Sequence, residues 1–522
     1  MHAANIRRKW KVRMNSTNRN APEICAELDR SSSSASVRLA SCETRDKLVD
    51  DYHRLLHWAA AAAKTTTWKM RARSGPAPEA ADPGLLPPAN VRRRAAVLLV
   101  DELAALAAGL DDPDVGRLQA AFLHPTRGPA AHALTRCGPV PADPIDAAAA
   151  NAVAINWMEL DEGFARASCH GALYTLPPLL AWAEVADATQ DELLTLFAVA
   201  YEVTGRLAET WPAARFTRHP HADWSAIGAA IAQSLCLGHD AKQLERALDM
   251  ASTLMLSGGY DAALSGARVR NLWAPVGIQL GMRAAGWASL GLEGPAGGLP
   301  QVMRTLLDRP GEEVRLMGDL GERWCVNATF NKPHACCQSL HSAIDAALDL
   351  RARLAPTGDW PEGLVINVET PRLETAIIEP QNRLQAQFSM PHAVAAALVL
   401  GHAGPLAFSS DALQDPRIAR LREFVVLQAW SAPLEALAAK PARVKLHLPD
   451  AQADEVVILA ARGSPTAPLS DVEILGKLES FADSRPGLLQ LGRRLLDTPL
   501  AAEPWRRLWH EALDLDRTGV PI

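Results

Sequence analysis

From residue 92 onward, apolar positions recur at helical spacing. Ala95, Val97, Leu98, Val100, Leu103, Leu106 and Leu110 share one such period. Thr189-Gln190-Asp191-Glu192 places a threonine and a glutamate where they satisfy the free amides of a helix start, ahead of a stripe formed by Leu193, Leu196, Phe197, Ala200, Val203 and Leu207. Asp240-Ala241-Lys242-Gln243 repeats the device before Leu244, Ala247, Leu248 and Ala251. Successive helices of this kind predict an all-helical body. After about residue 327 the period changes. Residues 363–370, 442–448 and 455–460 read as strands, with helices over His341–Leu354 and Pro391–Leu400, and helix returns at about 470–515. The fold expected is mainly α: a large helical domain from residues 89–327 and 465–522, interrupted by a smaller α+β domain over 328–464. A cleft between two such parts is a common seat for a small molecule.

The stretch before residue 89 follows neither pattern. It holds the basic run Ile6-Arg7-Arg8-Lys9-Trp10-Lys11 and the serines Ser31 to Ser34, with no acidic residue before Glu23 and no long apolar period before Leu55. Ser74-Gly75-Pro76-Ala77-Pro78 and Pro87-Pro88 read as a linker. Residues 1–88 are therefore expected to be a poorly ordered extension without a fold of its own, faintly similar at its start to a transit peptide.

Composition narrows the class. The 522 residues exceed one ordinary single-core domain, and 48% hydrophobic with 21% charged residues excludes disorder over most of the chain. A net charge of −6 from 53 basic and 59 acidic residues points to neither nucleic acid nor a membrane surface, and no charge-free run of 18 apolar residues occurs. Eight cysteines without a C-x-x-C pair give no zinc-ribbon or thioredoxin signature and fit a reduced, cytoplasmic setting. No nucleotide-binding glycine motif and no His-Glu-x-x-His is present.

Candidate chemistry lies in polar clusters set in apolar surroundings. The first is Asn156-Trp157-Met158-Glu159-Leu160-Asp161-Glu162, followed by Cys169-His170-Gly171. Its acids suit a general base or a cationic partner. His219 and His221 share one side of an extended segment, a spacing that permits metal binding but brings no third ligand. Arg268-Val269-Arg270 offers paired donors for a carboxylate. Asn331-Lys332-Pro333-His334-Ala335-Cys336-Cys337 leads into His341-Ser342-Ala343-Ile344-Asp345, and Asn382 to His392 forms the last cluster.

In this order the clusters resemble the MmgE/PrpD family, which contains 2-methylcitrate dehydratase, cis-aconitate decarboxylase and iminodisuccinate epimerase. The resemblance covers roughly residues 92–515. Glu159-Leu160-Asp161-Glu162 falls on the family's D-F-D-D segment, His170 on the histidine of H-P-G, and Tyr201-Glu202-Val203 on G-Y-E-V. Lys332-Pro333-His334-Ala335-Cys336-Cys337 through Asp345 resembles K-P-Y-x-C-C…H-x-x-I-D, and Ala386 through His392 resembles A-K-F-S-L-P-Y. The last two blocks are the most specific. Glu159, Gly171 and Arg270 depart from the family's aspartate, proline and lysine, and Cys337 and His392 stand where the decarboxylase branch carries a second histidine and a tyrosine. The last two changes argue against the decarboxylase.

The resemblance implies a helical domain built from both chain ends with an α+β lid, assembled as a homodimer. It implies an active site that uses no cofactor and no metal, and a small di- or tricarboxylate as partner. It implies a cofactor-independent lyase, foremost a hydro-lyase on a citrate-like acid. An epimerase or isomerase of a dicarboxylate and a non-catalytic diverged paralogue are the alternatives. Within that reading His170 and His341 transfer protons, Glu159 or Asp161 orients a histidine or serves as base, and Arg270 and Lys332 grip substrate carboxylates. His219, Cys337 and His392 complete the substrate contacts.

Overall fold

A computed structural model describes residues 35–66, 86–213, 217–295, 297–312, 314–434, 440–449 and 452–515, with side chains from Lys47 onward. The linker motif at 74–78 and the basic and serine runs lie outside these residues.

Helical repetition dominates up to about residue 310, as the apolar period predicts. The helices include α1 (Ala35–Lys64), α2 (Ala89–Leu110), α3 (Pro144–Trp157), α4 (Gly171–Ala186), α5 (Gln190–Thr210), α6 (Pro220–Leu237) and α7 (Trp273–Ser289). Both expected capping boxes form, Thr189 with Glu192 and Asp240 with Gln243. Small side chains let the helices approach closely. A Cβ added at Gly281 of α7 would lie 2.1 Å from the Ala226 carbonyl of α6, and one at Gly109 of α2 would lie 2.0 Å from that of Ala154 in α3. The alanine-rich, aromatic-poor composition thus becomes tight backbone packing.

The α+β part contains α8 (His341–Leu354), α9 (Met390–Leu400) and a four-stranded sheet: β1 (Val365–Thr370), β2 (Val425–Ala429), β3 (Ala442–His447) and β4 (Asp454–Ile458). Strand order is β2-β1-β3-β4. β1 pairs with β2 in parallel and with β3 antiparallel, setting Ile366 opposite Val425 and Val368 opposite Val444. Period-two burial on β1 and β3 turns one face inward, and α8 packs on β3 and β4. The parallel edge strand β2 was not expected from sequence, because most of its residues stay partly or fully exposed and no alternation marks it. A hairpin of Ala131–Thr135 with Gly138–Ala142 was also unforeseen, since Pro139 and Pro141 interrupt its second strand.

After the sheet the chain returns as α10 (Asp471–Glu479) and α11 (Pro486–Asp497), both packed on α2. Helices that precede and follow the sheet in the sequence therefore pack together.

The backbone divides into two compact units, 1–50 and 51–522. The described part of the first is the opening portion of α1. The second holds helices and sheet together. It also holds residues 51–64, which departs from the expectation that nothing before residue 89 has a fold. Tyr52, Leu55, Leu56, Ala59, Ala62 and Ala63 are buried. The Tyr52 ring lies 6.4 Å from that of Trp211, and Trp58 lies 5.8 Å from Trp324. The reason is local. Leu55 through Lys64 is alanine-rich and carries two leucines, enough for a helix with an apolar face. Among the described residues no helix is long and apolar enough to cross a membrane.

Candidate active site

Helix α3 ends at Trp157, and the chain turns sharply through Glu159, a non-glycine residue at φ 55°. Such a conformation is costly away from a site that uses it. The turn sends Glu159 and Asp161 inward. Gly163–Phe164 then pairs with Thr329–Phe330, which delivers Lys332 to the same place. Lys332 Nζ lies 3.3 Å from Asp161 Oδ1 and 3.5 Å from Glu159 Oε2. Both chain ends brace the turn: Lys477 of α10 donates to Leu160 O (2.9 Å) and to Asp101 of α2 (2.6 Å). Asp101 also accepts from Asn331, next to Lys332, at 2.7 Å.

Arg270 arrives on a short 3-10 turn, Arg268–Leu272, and forms an ion pair with Glu159. Its other donors go to His219 Nε2 (3.1 Å), Asn156 Oδ1 (2.9 Å) and Asn271 Oδ1 (3.1 Å). Within the chain itself, then, both cations expected to grip a substrate carboxylate are already answered by Glu159 and Asp161. All four side chains are at most 2% exposed. Burial alone would raise the Asp161 carboxyl, but Lys332 and then His170 hold it well below the ordinary range. Burial would likewise lower the Lys332 ammonium, and Asp161 and Glu159 instead raise it.

His170, at the N-terminus of α4, is the most open member of the cluster at 13% side-chain exposure. Its Nδ1 lies 2.7 Å from Glu162 O and 2.7 Å from Asp161 Oδ2. Two acceptors there place the proton on Nδ1 and leave the lone pair on Nε2. Among the described residues no hydrogen bond engages Nε2. His221, 4.7 Å away ring to ring, is fully used: Nε2 meets Asn156 Oδ1 at 2.9 Å and Nδ1 meets Tyr174 OH at 2.8 Å. His219 faces donors on both sides, Arg270 Nε and the His221 amide. Burial, then Arg270, pushes the pKa of each well down, so both are neutral.

Behind His170 stands a second acid layer. Glu162 accepts from the Tyr201 hydroxyl and, at 3.1 Å, from the Ala172 amide, and Glu102 accepts from the Glu162 amide at 2.7 Å. Burial raises Glu162 to about 8 despite those bonds. Burial and the neighbouring Asp161 raise Glu102 as well.

The remaining expected site residues are not hydrogen-bonded to this set. His341 is fully buried, its Nε2 3.3 Å from Cys336 O and its ring edge-on to Phe330 at 5.1 Å. Its Nδ1 is buried with no hydrogen-bond partner among the described residues, and burial, then His334 and Lys332, push its pKa well down. His392 uses both nitrogens, on Ala407 O (2.8 Å) and Arg422 (3.2 Å), and burial lowers it to about 4. Cys337 lies 3.8 Å from the Tyr260 hydroxyl, and Tyr260 stacks on His219 at 5.6 Å, so Cys337 adjoins the cluster through an aromatic ring. Asn156, Tyr174, Tyr260 and Asn271 were not foreseen as site residues. Asn156 stood beside the first acidic cluster, while Tyr260 lies in no motif that marks it.

A cavity of about 570 Å³ adjoins the cluster, lined among others by Asn271, Gln387, Arg268 and Arg383. Asn271 bonds to Arg270, and Gln387 O accepts from the Cys337 amide at 2.9 Å. Arg383 pairs with Asp112 and Arg268 with Asp114 across this cavity.

Among the described residues, two groups bring metal-ligating atoms within 4.8 Å of one another, Asp161 with His170 and His221, and His132 with Glu184 and His510. In the first, His221 has no free nitrogen, and Lys332 and Arg270 lie alongside. In the second, both histidines meet Glu184 Oε1, at 2.5 and 2.8 Å, as hydrogen bonds suffice to explain.

No curated protein matches the chain. The family model described as the MmgE/PrpD N-terminal domain matches residues 85–300. The one described as the MmgE/PrpD C-terminal domain matches residues 334–490. The first spans the helices that carry Asp161, His170, His219 and Arg270, and the second spans the sheet, so the chain belongs to the MmgE/PrpD family.

Proposed function

We propose that the protein is a cofactor-independent lyase, a dehydratase acting on a small citrate-like polycarboxylate. The family includes dehydratases and other lyases, which makes an enzyme of this kind the coarse expectation. The observation that carries the finer reading is the His170 arrangement. An imidazole with Nδ1 held by Asp161 and Glu162 O, and with Nε2 left open, is a general base of fixed tautomer.

In this reading Nε2 takes a proton from carbon next to a carboxylate. The electron pair moves into that carboxylate as an enediolate, next to the Lys332 and Arg270 cations in a site shielded from water. Asp161 stabilises the imidazolium that forms. The enediolate then collapses, the C–O bond at the neighbouring carbon breaks, and the leaving hydroxide takes the proton held on His170 Nε2 and departs as water, which restores the base. One C–H and one C–O bond are lost and one C=C bond is gained. Glu159 and Asp161 keep the two cations fixed, so no rearrangement of charge is needed when the enediolate appears.

The test is incubation with citrate or 2-methylcitrate while following the absorbance of a new conjugated double bond. Absorbance that grows with the wild type and is reduced about 10²–10⁴-fold in His170→Gln is expected. Solvent deuterium appearing in the substrate without that absorbance identifies an epimerase instead.

A further inference from the structure

The cavity of about 570 Å³ has a lining that sorts ligands by polarity. Trp157, Leu384 and Leu413 give it apolar surface. Its charged side chains answer one another, Arg383 with Asp112 and Arg268 with Asp114. Two of its amides, by contrast, are only partly used. Asn271 is 3% exposed and Gln387 1%. Arg270 can only donate, so the Asn271 atom 3.1 Å from its Nη1 is the oxygen. Asn271 Nδ2 then makes no hydrogen bond among the described residues. The Ala335 carbonyl can only accept, so the Gln387 atom 3.1 Å from it is the nitrogen. Gln387 Oε1 is left without a donor among the described residues. The chain neighbours of these two amides meet: the Arg270 guanidinium stands 5.5 Å from the centre of the Phe388 ring.

The cavity lining therefore holds one unused donor and one unused acceptor, both on side chains too enclosed to leave them unpaired without cost. The chemistry that fits is narrow. A carboxylate only accepts, so it would satisfy Asn271 but set oxygen against oxygen at Gln387, and both arginines of the lining are already paired. An ammonium only donates and fails at Asn271. A neutral amide carries a carbonyl for Asn271 and an N–H for Gln387. Pockets of about 300–1,000 Å³ hold drug-sized molecules, so there is room here for more than a small acid.

We propose that the cavity seats an uncharged amide substituent of the substrate, selected by Asn271 Nδ2 and Gln387 Oε1. The substrate is then a polycarboxylic acid that also bears an acylamino or carboxamide group. This inference rests on the polycarboxylate reading above and adds the substituent. Asn271 couples the two ends of the ligand, because its oxygen holds Arg270 while its nitrogen serves the cavity.

Calorimetric titration of the full chain with succinate, N-acetylaspartate and acetoxysuccinate tests it. The second acid is the first with an amide added, and the third replaces the amide N–H by an ester oxygen. N-acetylaspartate should bind about tenfold or more tightly than succinate, and acetoxysuccinate should lose most of that gain. Gln387→Met should bring N-acetylaspartate to within about twofold of succinate. Asn271→Asp keeps an oxygen for Arg270 and removes only the donor, so the same ratio should collapse there. Reading a ratio cancels any general loss of anion affinity, and if one variant fails to fold the other decides. Equal binding of all three acids by the wild type, or a preference for the amide that survives both substitutions, overturns the amide seat and leaves the polycarboxylate reading standing. Wild-type protein that binds none of the three overturns that reading, and the seat with it.

Discussion

His170 and His341 respond oppositely to the same substitution. His170 is the most open member of the cluster, so His170→Gln should lower turnover far more than it lowers the melting temperature. His341 is enclosed by Phe330, His334 and Cys336 O, so His341→Gln should lower the melting temperature first. Paired thermal melts and initial rates separate the two. Lys332→Met leaves Asp161 and Glu159 buried short of a partner, which should cost about 3–5 kcal/mol of stability, measurable by urea unfolding. A double variant that adds Asp161→Asn should recover part of that loss.

Glu162 gives a pH signature. Its folded pKa of about 8 lies above the ordinary 4.5, so the folded chain binds the extra proton. Its contribution to stability is complete below pH 4.5 and is lost as pH rises through 8. Glu162→Gln should flatten that part of the stability curve, read as melting temperature against pH.

At this scale the sequence named most of the chemistry but little of its pairing. Lys332, Asp161, Glu159, Arg270 and His170 were all singled out. That the cations face the chain's own carboxylates depends on the left-handed turn at Glu159 and the short pairing of Gly163–Phe164 with Thr329–Phe330. Neither leaves a trace in composition or period.

Among elements, helices announced by capping boxes and apolar stripes were legible. The strands β1, β3 and β4 were legible too, each within a few residues of its observed bounds. Edge strand β2 and the packed end of α1 were not, because their burial comes from partners distant in sequence. Removing everything before Ala89 would strip Tyr52 from Trp211 and Trp58 from Trp324. The expected result is a lower melting temperature and exposed tryptophan, visible as a red-shifted emission. At the α6–α7 contact, Gly281→Ala puts a methyl against the Ala226 carbonyl, which lies 2.1 Å from the added atom. That carbonyl belongs to helix backbone and cannot swing aside. Overpacking of this kind costs about 1–3 kcal/mol, to be read from denaturant midpoints.

For the whole molecule, the helical period and the change of texture near 327 were enough to foresee a mainly helical chain with a small sheet. The homodimer implied by the family resemblance is a proposal to be checked by sedimentation, where a species near twice 56.1 kDa is expected.

The ion pairs beside the cavity add a kinetic consequence. Arg383 with Asp112 and Arg268 with Asp114 join residues far apart in the chain beside the cavity, and Arg268 is largely exposed. Pairs in contact with solvent weaken as salt screens them, whereas the enclosed Lys332 and Arg270 pairs do not. If ligand enters through this cavity, raising ionic strength should loosen these pairs while leaving the chemistry intact. Stopped-flow binding should show ligand arriving and departing faster at 0.5 M salt than at 0.02 M, with the single-turnover rate of the bound complex unchanged.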